Sequence, residues 1–434
     1  MKYNFIWKLL GYDVGKYLKE LNKLQFLKLD SFTKEQIIKR NNIFQHHYNN
    51  NSFYRTMVGE IDDGNWSKLP IMTKRHLQQL TSINNNYRSR HNYIANTSGS
   101  SGEPFWFFKD KECHALSWAY IIKKYAELGA DHSALEARFF GSVSKNVKLL
   151  IKENIKDIFL KRYRFDVFDQ SDTNMEFISN SFRRKPFTYI YGYTNSILAF
   201  GMFFKENNHV SLKHVCPSLK FVLVTAEVCS NKMSNELETI FGVPVYREYG
   251  SSETSIIAIE NKHKKWEIAS ERIYVEIVDE KKIPLPEGEI GNILVTDLFN
   301  KAMPFIRYDI GDRGSLLSME KFPYVRIQSL HGRESDTILL PSGNTVPGLA
   351  FYYISRSILE NESNIQRFII IQQSLEQFEF QYIATQNISQ EIQKQIISAS
   401  SDYLENGLKY NFNRVDTIAR YQSGKIKHFV SDLN

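Results

Sequence analysis

Cysteine is scarce in this 434-residue chain, which contains only Cys113, Cys216 and Cys229. No two of them form a Cys-x-x-Cys pair. Small secreted folds that depend on disulfides are dense in cysteine, and structural zinc sites use closely spaced pairs. The sequence therefore argues against a disulfide framework and a structural zinc site, and it suits a reducing compartment.

A concentrated charge of one sign is also missing. The net charge is +7 at pH 7, and the 55 lysines and arginines are dispersed along the chain. A nucleic-acid-binding protein is expected to cluster such residues in a patch or stripe. We therefore expect no nucleic-acid partner, whereas a small polyanion such as ATP suits this charge balance.

Long hydrophobic runs are nearly absent. The one candidate, residues 186–204, has no charged side chain over 19 residues, close to the roughly 17–25 residues that span a bilayer. The polar and glycine residues of 191–196 interrupt it. We predict a buried strand at 187–191, a turn, and a helix from Asn195 that is capped by Asn195 or Thr194. The protein is thus expected to be soluble and cytoplasmic.

The first 30 residues carry six lysines and a short apolar cluster at 5–7. Lys8 and Asp13 interrupt this cluster, so we predict no signal peptide. We expect an amphipathic helix that packs on its own domain, with peripheral membrane contact as the alternative.

The length exceeds the size at which one hydrophobic core usually keeps growing, so at least two domains are expected. Helical periodicity occurs at 33–50, 111–128, 173–183, 195–206 and 230–240. Strand-like runs occur at 92–96, 105–108, 187–191, 219–225, 244–249, 273–278 and 291–296. Strands that alternate with helices predict an α/β core.

The pattern changes after residue 330. The predicted elements there are a hairpin at 337–346, a helix at 349–360, strands at 368–373 and 378–384, a helix at 389–405 and a last strand at 415–420. We therefore predict a large, multi-sheet α/β domain at 1–332 and a small, mobile α+β domain at 333–434, with a hinge near Asp336.

A loop dense in hydroxyls and glycines, Asn-Thr-Ser-Gly-Ser-Ser-Gly-Glu-Pro, occupies residues 96–104. Glycines permit tight turns in which several N–H groups converge on one anion, and the hydroxyls add donors. The Gly-Lys-Ser/Thr of a P-loop is not present in it. Taken alone, the loop fits either a phosphate cradle or a polar hairpin turn.

A second motif, Tyr-Gly-Ser-Ser-Glu at 249–253, follows the strand-like run 243–247. Ligands of α/β enzymes bind at the carboxyl ends of strands, and a carboxylate there can hold Mg²⁺. Glu253 is therefore a candidate magnesium ligand. The alternative is an acid at a helix N-terminus, where the helix dipole favours it.

A third motif, Arg-Tyr-Asp-Ile-Gly-Asp, occupies 307–312. Its last acid, Asp312, suits the two hydroxyls of a ribose. Arg307 fits either a ligand contact or a structural ion pair with Asp309 or another acid.

Two more motifs follow in the last hundred residues. His331–Asp336 offers Arg333 to a ribose or phosphate and Asp336 as a hinge, with an interdomain salt bridge as the alternative. Ser-Gly-Lys at 423–425 offers Lys425 to a transition-state phosphate, with a solvated basic run as the alternative.

Together these motifs resemble the adenylate-forming superfamily, specifically the phenylacetate–CoA ligase branch that includes capsular-polysaccharide biosynthesis homologues. Five motifs match in order: 97–104, 249–253, 307–312, 332–336 and 423–425. Phrases typical of the branch are Leu69–Lys74, Lys185–Ser196 and Thr225–Glu227. The resemblance covers about residues 65–434; each motif is weak alone, and five in order are strong.

The resemblance implies a set of ATP-binding residues, in chain order Thr97, Ser98, Gly99, Ser100, Ser101, Gly102, Ala226, Glu227, Tyr249, Gly250, Ser251, Ser252, Asp312 and Arg333. The first six would wrap the phosphates, and Ala226 and Glu227 would line the nucleotide pocket. Glu253 would hold Mg²⁺. Lys425 and Arg333 would be catalytic, with Asp336 as the hinge.

The resemblance further implies an AMP-forming acid–thiol ligase: ATP would activate a carboxylic acid as an acyl-adenylate, and CoA is the expected acceptor. Two alternatives stay open. One is transfer to a carrier protein, sugar or amine in cell-surface (capsular) polysaccharide biosynthesis; the other is a degenerate, non-catalytic ATP-binding subunit. A homodimer is also left open.

The chain departs from the family pattern at two places. Glu103 stands where family loops commonly carry a lysine, which weakens the expected pyrophosphate contact. Some branch members have a Cys/His cluster after the Tyr-Gly motif, but 259–268 contains only His263, so no zinc is expected. The aromatic residues Phe139, Phe140 and Tyr193 fit either an acyl pocket or the core, and we favour the core.

Overall fold

The protein is described from a computed structural model. It covers residues 7–8, 11–60, 66–83, 92–97, 105–131, 134–140, 154–167, 169, 171–227, 229–333, 337–343, 345–347, 365–401, 404–418 and 429–433. These residues form two compact units, a larger one within 1–97, 105–310 and 315–329 and a smaller one within 311–314 and 330–434. The predicted boundary at 332/333 and the mobility of the smaller domain stay predictions.

Within the described residues, the helices of the larger unit with defined bounds are α1 (Val14–Leu24), α2 (Leu29–Asn50), α3 (Ser52–Val58), α4 (Lys74–Ile83), α5 (Lys111–Leu128), α6 (Asp172–Arg184), α7 (Thr194–Asn207), α8 (Leu212–Val215) and α9 (Asn231–Phe241). Its strands are β1 (Tyr93–Thr97), β2 (Phe105–Lys109), β3 (Leu135–Phe139), β4 (Arg162–Arg164), β5 (Phe187–Tyr193), β6 (Phe221–Thr225), β7 (Val245–Ser251), β8 (Ser255–Glu260), β9 (Trp266–Ile268), β10 (Ile273–Val278), β11 (Gly291–Asp297), β12 (Tyr308–Ser318) and β13 (Val325–Arg333). The predicted α/β class is confirmed.

Eleven of these strands form one sheet in the order β10-β11-β12-β13-β9-β8-β7-β6-β5-β3-β4, and β1 pairs with β2 in a separate antiparallel hairpin. Strands β4, β3, β5, β6 and β7 are parallel, whereas β8 pairs antiparallel with both β7 and β9. The carboxyl ends of the five parallel strands therefore share one edge of the sheet, where α/β folds bind ligands.

Helices cover both faces of the parallel strands. On one face, phenylalanines of α6 and α7 pack against the strands: the Phe182 ring centroid lies 4.7 Å from that of Phe187, and Phe200 lies 5.4 Å from Phe139. On the other face, Tyr125 of α5 lies 5.7 Å from Tyr189. Phe139 is thus a core residue, as favoured from the sequence.

The N-terminal helix packs on its own unit, as predicted. Val14, Tyr17 and Leu21 of α1 are buried, and the Tyr17 hydroxyl donates to Glu112 of α5 at 2.9 Å. Among the described residues, no helix combines the length and apolar character needed to cross a membrane.

The predicted turn and cap between β5 and α7 are wrong. Strand β5 continues to Tyr193, α7 begins at Thr194, and no N-cap side chain hydrogen-bonds to the helix. Instead, the carboxylate of Glu227, which follows β6, accepts the N–H of Asn195 at 2.8 Å. The exposed N–H groups of a helix can be satisfied from a distant segment, which local sequence patterns do not reveal.

The smaller unit contains β14 (Thr337–Leu339), β15 (Thr345–Pro347), β16 (Ile365–Gln372), β17 (Gln377–Ala384), α10 (Gln390–Ser401), β18 (Lys409–Arg414) and β19 (Phe429–Ser431). Strands β14 and β15 form the predicted hairpin, and the others form a sheet in the order β18-β17-β16-β19. The predicted helix at 349–360 lies outside the described residues.

The predicted last strand at 415–420 is wrong over 415–418, and residues 419–420 lie outside the described residues. The strand lies earlier, at Lys409–Arg414, where it pairs in parallel with β17. The alternation of buried and exposed side chains explains this position. Tyr410 and Phe412 pack against the buried Phe380, whereas Asn411 is exposed. A further short strand, Phe429–Ser431, pairs in parallel with β16 and was not predicted.

Candidate active site at the carboxyl edge of the sheet

The Tyr-Gly-Ser-Ser-Glu motif forms the end of β7 and the turn into β8. The strand runs through Gly250 to Ser251, further than the predicted end at 247. A Cβ on Gly250 would overlap the backbone carbonyl of Ser255 on β8, so only glycine fits there. Glu253 therefore occupies a hairpin turn, and the alternative of a helix N-terminal acid is excluded.

Two buried cations hold this turn by its carbonyl groups. Lys109 of β2 donates to the Ser252 carbonyl at 3.3 Å, and Arg272 donates to the Thr254 carbonyl at 2.8 Å. Arg272 also pairs with Asp297 at 3.2 Å, where both side chains are 1% exposed. Burial lowers the pKa of Lys109, and the nearby Asp297 and Glu253 counteract this. The residues on both sides of Glu253 are thus fixed.

Glu253 itself is 7% exposed and accepts the hydroxyl of Tyr308 at 3.0 Å. Tyr308 belongs to the Arg-Tyr-x-x-Gly-Asp motif and lies 55 residues further along the chain. The structure therefore brings together two motifs that the sequence only places in order.

The Leu69–Lys74 phrase joins the same place. Met72 forms a bridge with Tyr308: its N–H donates to the Arg307 carbonyl at 3.2 Å, and the Asp309 N–H donates to the Met72 carbonyl at 2.9 Å. Since β2 follows the hydroxyl–glycine loop and also contacts Ser252, segments from four parts of the chain meet around Glu253.

Arg307 has a structural role. Its backbone φ is +45°, its side chain is 1% exposed, and it donates to the Ser67 and Leu69 carbonyls at 2.6 and 2.8 Å. Its ion-pair partner is Glu276, at 3.4 Å, while Asp309 lies 3.7 Å from Lys282. Arg307 therefore forms a structural ion pair, and its partner is Glu276 and not Asp309.

Ala226 and Glu227 form a constrained turn after β6. Ala226 has a left-handed φ of +68°, which is rare for a residue with a Cβ and is found at functional sites. The Glu227 carboxylate accepts the Asn195 N–H, and its carbonyl accepts the Thr194 hydroxyl at 3.1 Å. The position of this turn at the carboxyl edge suits a nucleotide pocket, and that role stays a prediction.

A second polar cluster at this edge was missed from the sequence. The Glu248 carboxylate accepts the hydroxyls of Tyr125 at 2.9 Å and Tyr191 at 3.0 Å. Burial raises the pKa of Glu248 to about 7, against the lowering effect of these hydroxyls. Arg138 of β3 stacks over Phe140 and Tyr191. Charged side chains among the apolar and aromatic residues of β3 and β7 were the available signal.

Several predicted residues lie outside the described part of the chain: Ser98, Gly99, Ser100, Ser101, Gly102, Glu103, Asp336 and Lys425. Thr97 ends β1 and Arg333 ends β13, but their side chains are not described. Asp312 is buried within β12. The roles of all these residues stay predictions.

Glu253 fits a magnesium site. Only one carboxylate oxygen, Oε1, accepts a hydrogen bond from a described residue, so Oε2 is available, and Mg²⁺ sites at phosphates use one or two carboxylates. Among described residues, no group of three or more His, Cys, Asp or Glu side chains is placed to hold a metal on its own. A magnesium ion held by Glu253 would take its further ligands from phosphate oxygens and water.

Comparison with known proteins extends beyond this site. Residues 345–432 match the family described as the CapK C-terminal domain. Protein CapK of Staphylococcus aureus is 21% identical over 380 residues, which are 81% of this chain and 78% of that protein. Phenylacetate-coenzyme A ligase of Pseudomonas putida is 28% identical over 137 residues, about 30% of each chain.

The fold matches solved structures over nearly the whole chain. The crystal structure of 2-hydroxyisobutyryl-CoA ligase in the postadenylation state superposes with a TM-score of 0.72 at 14% identity, and covers 95% of this chain and 92% of that one. At this identity the likeness shows the fold alone.

Proposed function

We propose that the chain is an adenylate-forming enzyme of the branch that contains CapK and the phenylacetate–CoA ligases, and that it activates a carboxylic acid with ATP and passes the acyl group to a thiol, with CoA as the acceptor. The similarity to phenylacetate-coenzyme A ligase supports this activity.

One observation carries the proposal. The Tyr308 hydroxyl donates to Glu253 at 3.0 Å, so that two motifs proposed to bind one nucleotide meet in one place. Lys109 ties the strand after the hydroxyl–glycine loop to the same turn. A purely structural hairpin would not require these separate sequence phrases to converge at the carboxyl edge, where α/β folds bind ligands.

The proposed chemistry brings two anions together. The substrate carboxylate oxygen forms a bond to the α-phosphorus of ATP while the bond to pyrophosphate breaks. Glu253 would hold Mg²⁺, which offsets phosphate charge, and Lys425 would stabilise the charge that develops in the transition state. In the second step a thiol sulfur forms the thioester bond and AMP leaves with the bonding electrons.

A second candidate keeps the adenylation and changes the acceptor. The match to the CapK C-terminal domain and the coverage of most of CapK favour it. In this version the acyl group passes to a carrier protein, a sugar or an amine in cell-surface polysaccharide assembly. Both versions place the protein in the cytoplasm, where ATP and CoA are available.

Acid-dependent exchange of radioactive pyrophosphate into ATP tests the adenylation step without naming the acceptor. We expect exchange with at least one member of a broad acid panel. Lys425→Ala should lower it about 100-fold, the order of one transition-state contact, while the neighbouring Lys427→Ala should stay within about threefold. No exchange with any acid, or equal effects of the two substitutions, would contradict the proposal.

Magnesium titration of the same exchange tests Glu253. Glu253→Gln should raise the Mg²⁺ concentration needed for half-maximal exchange at least tenfold, because one anionic ligand is lost. Glu289→Gln, an exposed carboxylate, serves as the control. Acyl-CoA formation on adding CoA, measured by mass spectrometry, then separates the two acceptors: exchange without CoA consumption favours the second.

A further inference from the structure

The order of the parallel strands reverses between β3 and β5. From β3 the chain continues to β4 on one side, whereas β5, β6 and β7 follow one another on the opposite side of β3. Connections that leave two neighbouring strands in opposite directions open a crevice at their carboxyl ends, and ligands of α/β proteins bind in this crevice. In this protein the strand order places such a crevice at the carboxyl ends of β3 and β5, next to Phe139 and Tyr193.

The side chains at this point are covered by protein but still reach solvent. Arg138, Phe140, Tyr191 and Glu248 are each only partly buried, and the Arg138 side chain is 16% exposed. Arg138, Tyr191 and Glu248 belong to β3, β5 and β7, Phe140 directly follows β3, and Tyr125 of α5 lies over their face. Residues that lie under a helix and still reach solvent suit a concave small-molecule site.

Aromatic rings build two walls of this crevice. The ring centroids of Phe140 and Tyr193 lie 4.1 Å apart, and Phe140 and Tyr191 lie nearly parallel at 5.9 Å. The Arg138 guanidinium lies 5.2 Å from the Phe140 ring and 5.3 Å from the Tyr191 ring. Stacking of this kind fixes the plane of the guanidinium.

One edge of this guanidinium makes no hydrogen bond to the described part of the chain. Nη1 donates to Glu136 at 2.7 Å, but no described residue accepts a hydrogen bond from Nε or Nη2. These two N–H groups form the fork that binds a planar carboxylate through two parallel hydrogen bonds. An arginine whose fork is used by no described residue has room for an anionic partner.

The charged groups around Arg138 are consistent with an anionic ligand. Glu136 is shared by Arg138 and by Arg162, whose Nε lies 3.4 Å away, so two guanidinium groups face one carboxylate. The nearby Glu248 already accepts two tyrosine hydroxyls and forms no ion pair with any described residue. Among the described residues, Glu136 is thus the one carboxylate that pairs with these two guanidinium groups.

We infer that the acid activated by this protein carries a second carboxylate on its tail, and that the Nε–Nη2 edge of Arg138 binds this group between Phe140 and Tyr191. The substrate class is thus a dicarboxylic acid, and Arg138 is its specificity-determining residue. This inference rests on the proposed function for the activation of the first carboxylate, which would lie nearer to the nucleotide.

Matched pairs of acids test the substrate class. Pyrophosphate exchange is measured with dicarboxylic acids of four to eight carbons against monocarboxylic acids of the same length, and with terephthalate against benzoate. We expect at least one diacid to exceed its partner about 10- to 100-fold in kcat/KM, the range of one charge-assisted hydrogen-bonded pair. A monoacid preferred in every pair would overturn the inference and leave the proposed function intact.

Arg138→Gln tests the residue, with Arg162→Gln as the matched control that also removes a guanidinium from Glu136. The diacid-to-monoacid ratio should fall at least tenfold in Arg138→Gln and stay within about twofold in Arg162→Gln. Arg138→Lys, which keeps the charge without the fork, should give an intermediate ratio. Equal ratios in the Gln variants would overturn the role of Arg138.

Saturation-transfer NMR with the same acids and the full-length protein keeps the test independent of turnover. Diacid binding that Arg138→Gln abolishes, in a protein without exchange activity, would support the inference and contradict the proposed function. The absence of diacid binding in a wild-type protein that melts cooperatively would overturn the inference.

Discussion

The two faces of the parallel strands differ in chemistry although they share one backbone. One face packs phenylalanines such as Phe139 against Phe200 of α7. The other presents Arg138, Tyr191 and Glu248 towards α5. The difference separates two tasks, because the first face supplies packed apolar area and the second offers polar groups at the edge where ligands bind.

A single extra residue in β5 produces part of this division. Leu135 pairs with Phe187, but the next residue, Glu136, pairs with Tyr189, so Thr188 is a bulge. Strict alternation would place Phe187 on the same face as Tyr189 and Tyr191. The bulge turns Phe187 towards Phe182 and the tyrosines towards α5.

Gly192→Ala should have the largest effect on the two faces, because it inserts a methyl group between β3 and β5. A Cβ at Gly192 would overlap the carbonyl oxygen of Phe139, and only separation of β3 from β5 relieves such a clash. We expect a loss above about 4 kcal/mol in the free energy of unfolding, beyond typical overpacking. A melting temperature within about 2 °C of wild type would contradict this.

Phe200→Ala tests the apolar face. Phe200 is fully buried among Phe139, Phe182 and Phe241, so its removal leaves a cavity. We expect a loss of about 3–5 kcal/mol, measured by urea unfolding. The exposed Phe177→Ala is the control and should cost far less. Similar losses in the two variants would show that this face is not the core.

Glu248→Gln tests the polar face through pH. The pKa of Glu248 is raised from 4.5 to about 7 in the folded protein, so the folded state holds a proton that the unfolded state releases between these values. Its contribution to stability is therefore full below pH 4.5 and lost as pH rises to about 7, on the order of 3 kcal/mol at most.

Urea unfolding at pH 5 and pH 8 measures this difference. Wild type should lose more stability than Glu248→Gln as pH rises, while the exposed Glu206→Gln should follow wild type. Identical pH profiles for Glu248→Gln and wild type would mean that Glu248 titrates normally.

Tyr191→Phe should give the smallest effect. It removes the hydroxyl that donates to Glu248 and leaves a buried acceptor with one partner fewer, which costs about 1 kcal/mol. Tyr193→Phe, on the same face, loses no hydrogen bond to a described residue and should stay within about 0.5 kcal/mol. A larger loss from Tyr193→Phe than from Tyr191→Phe would contradict a stabilising role of the hydrogen bond between Tyr191 and Glu248.

Local patterns predicted much of this fold. The helix at 111–128 and the strand at 273–278 agree with the structure residue for residue. The helix is bounded at both ends by local chemistry: the Asp110 carboxylate accepts the Cys113 N–H at 3.0 Å, and Gly129 has a left-handed φ of +116°. The errors arose where distant groups intervene, such as Glu227 at the start of α7.

The residues of the candidate site were also predicted from the sequence, but their contacts with distant segments were not. Glu253 and its motif were found because a carboxylate after a strand is visible in the sequence. Its partner Tyr308 lies 55 residues away, and the carbonyls that hold Arg307 lie 238 and 240 residues away. No pattern of local spacing encodes such contacts.

The sequence by itself determined the elements, the ordered motifs and the resemblance to adenylate-forming enzymes, because propensity, capping and glycine-rich turns act over a few residues. Only the tertiary structure decided which face Arg138 and Glu248 occupy and what holds Glu253 in place. The reason is physical: strand register, a one-residue bulge and buried charges depend on contacts between distant segments, and those contacts exist only once the sheet has formed.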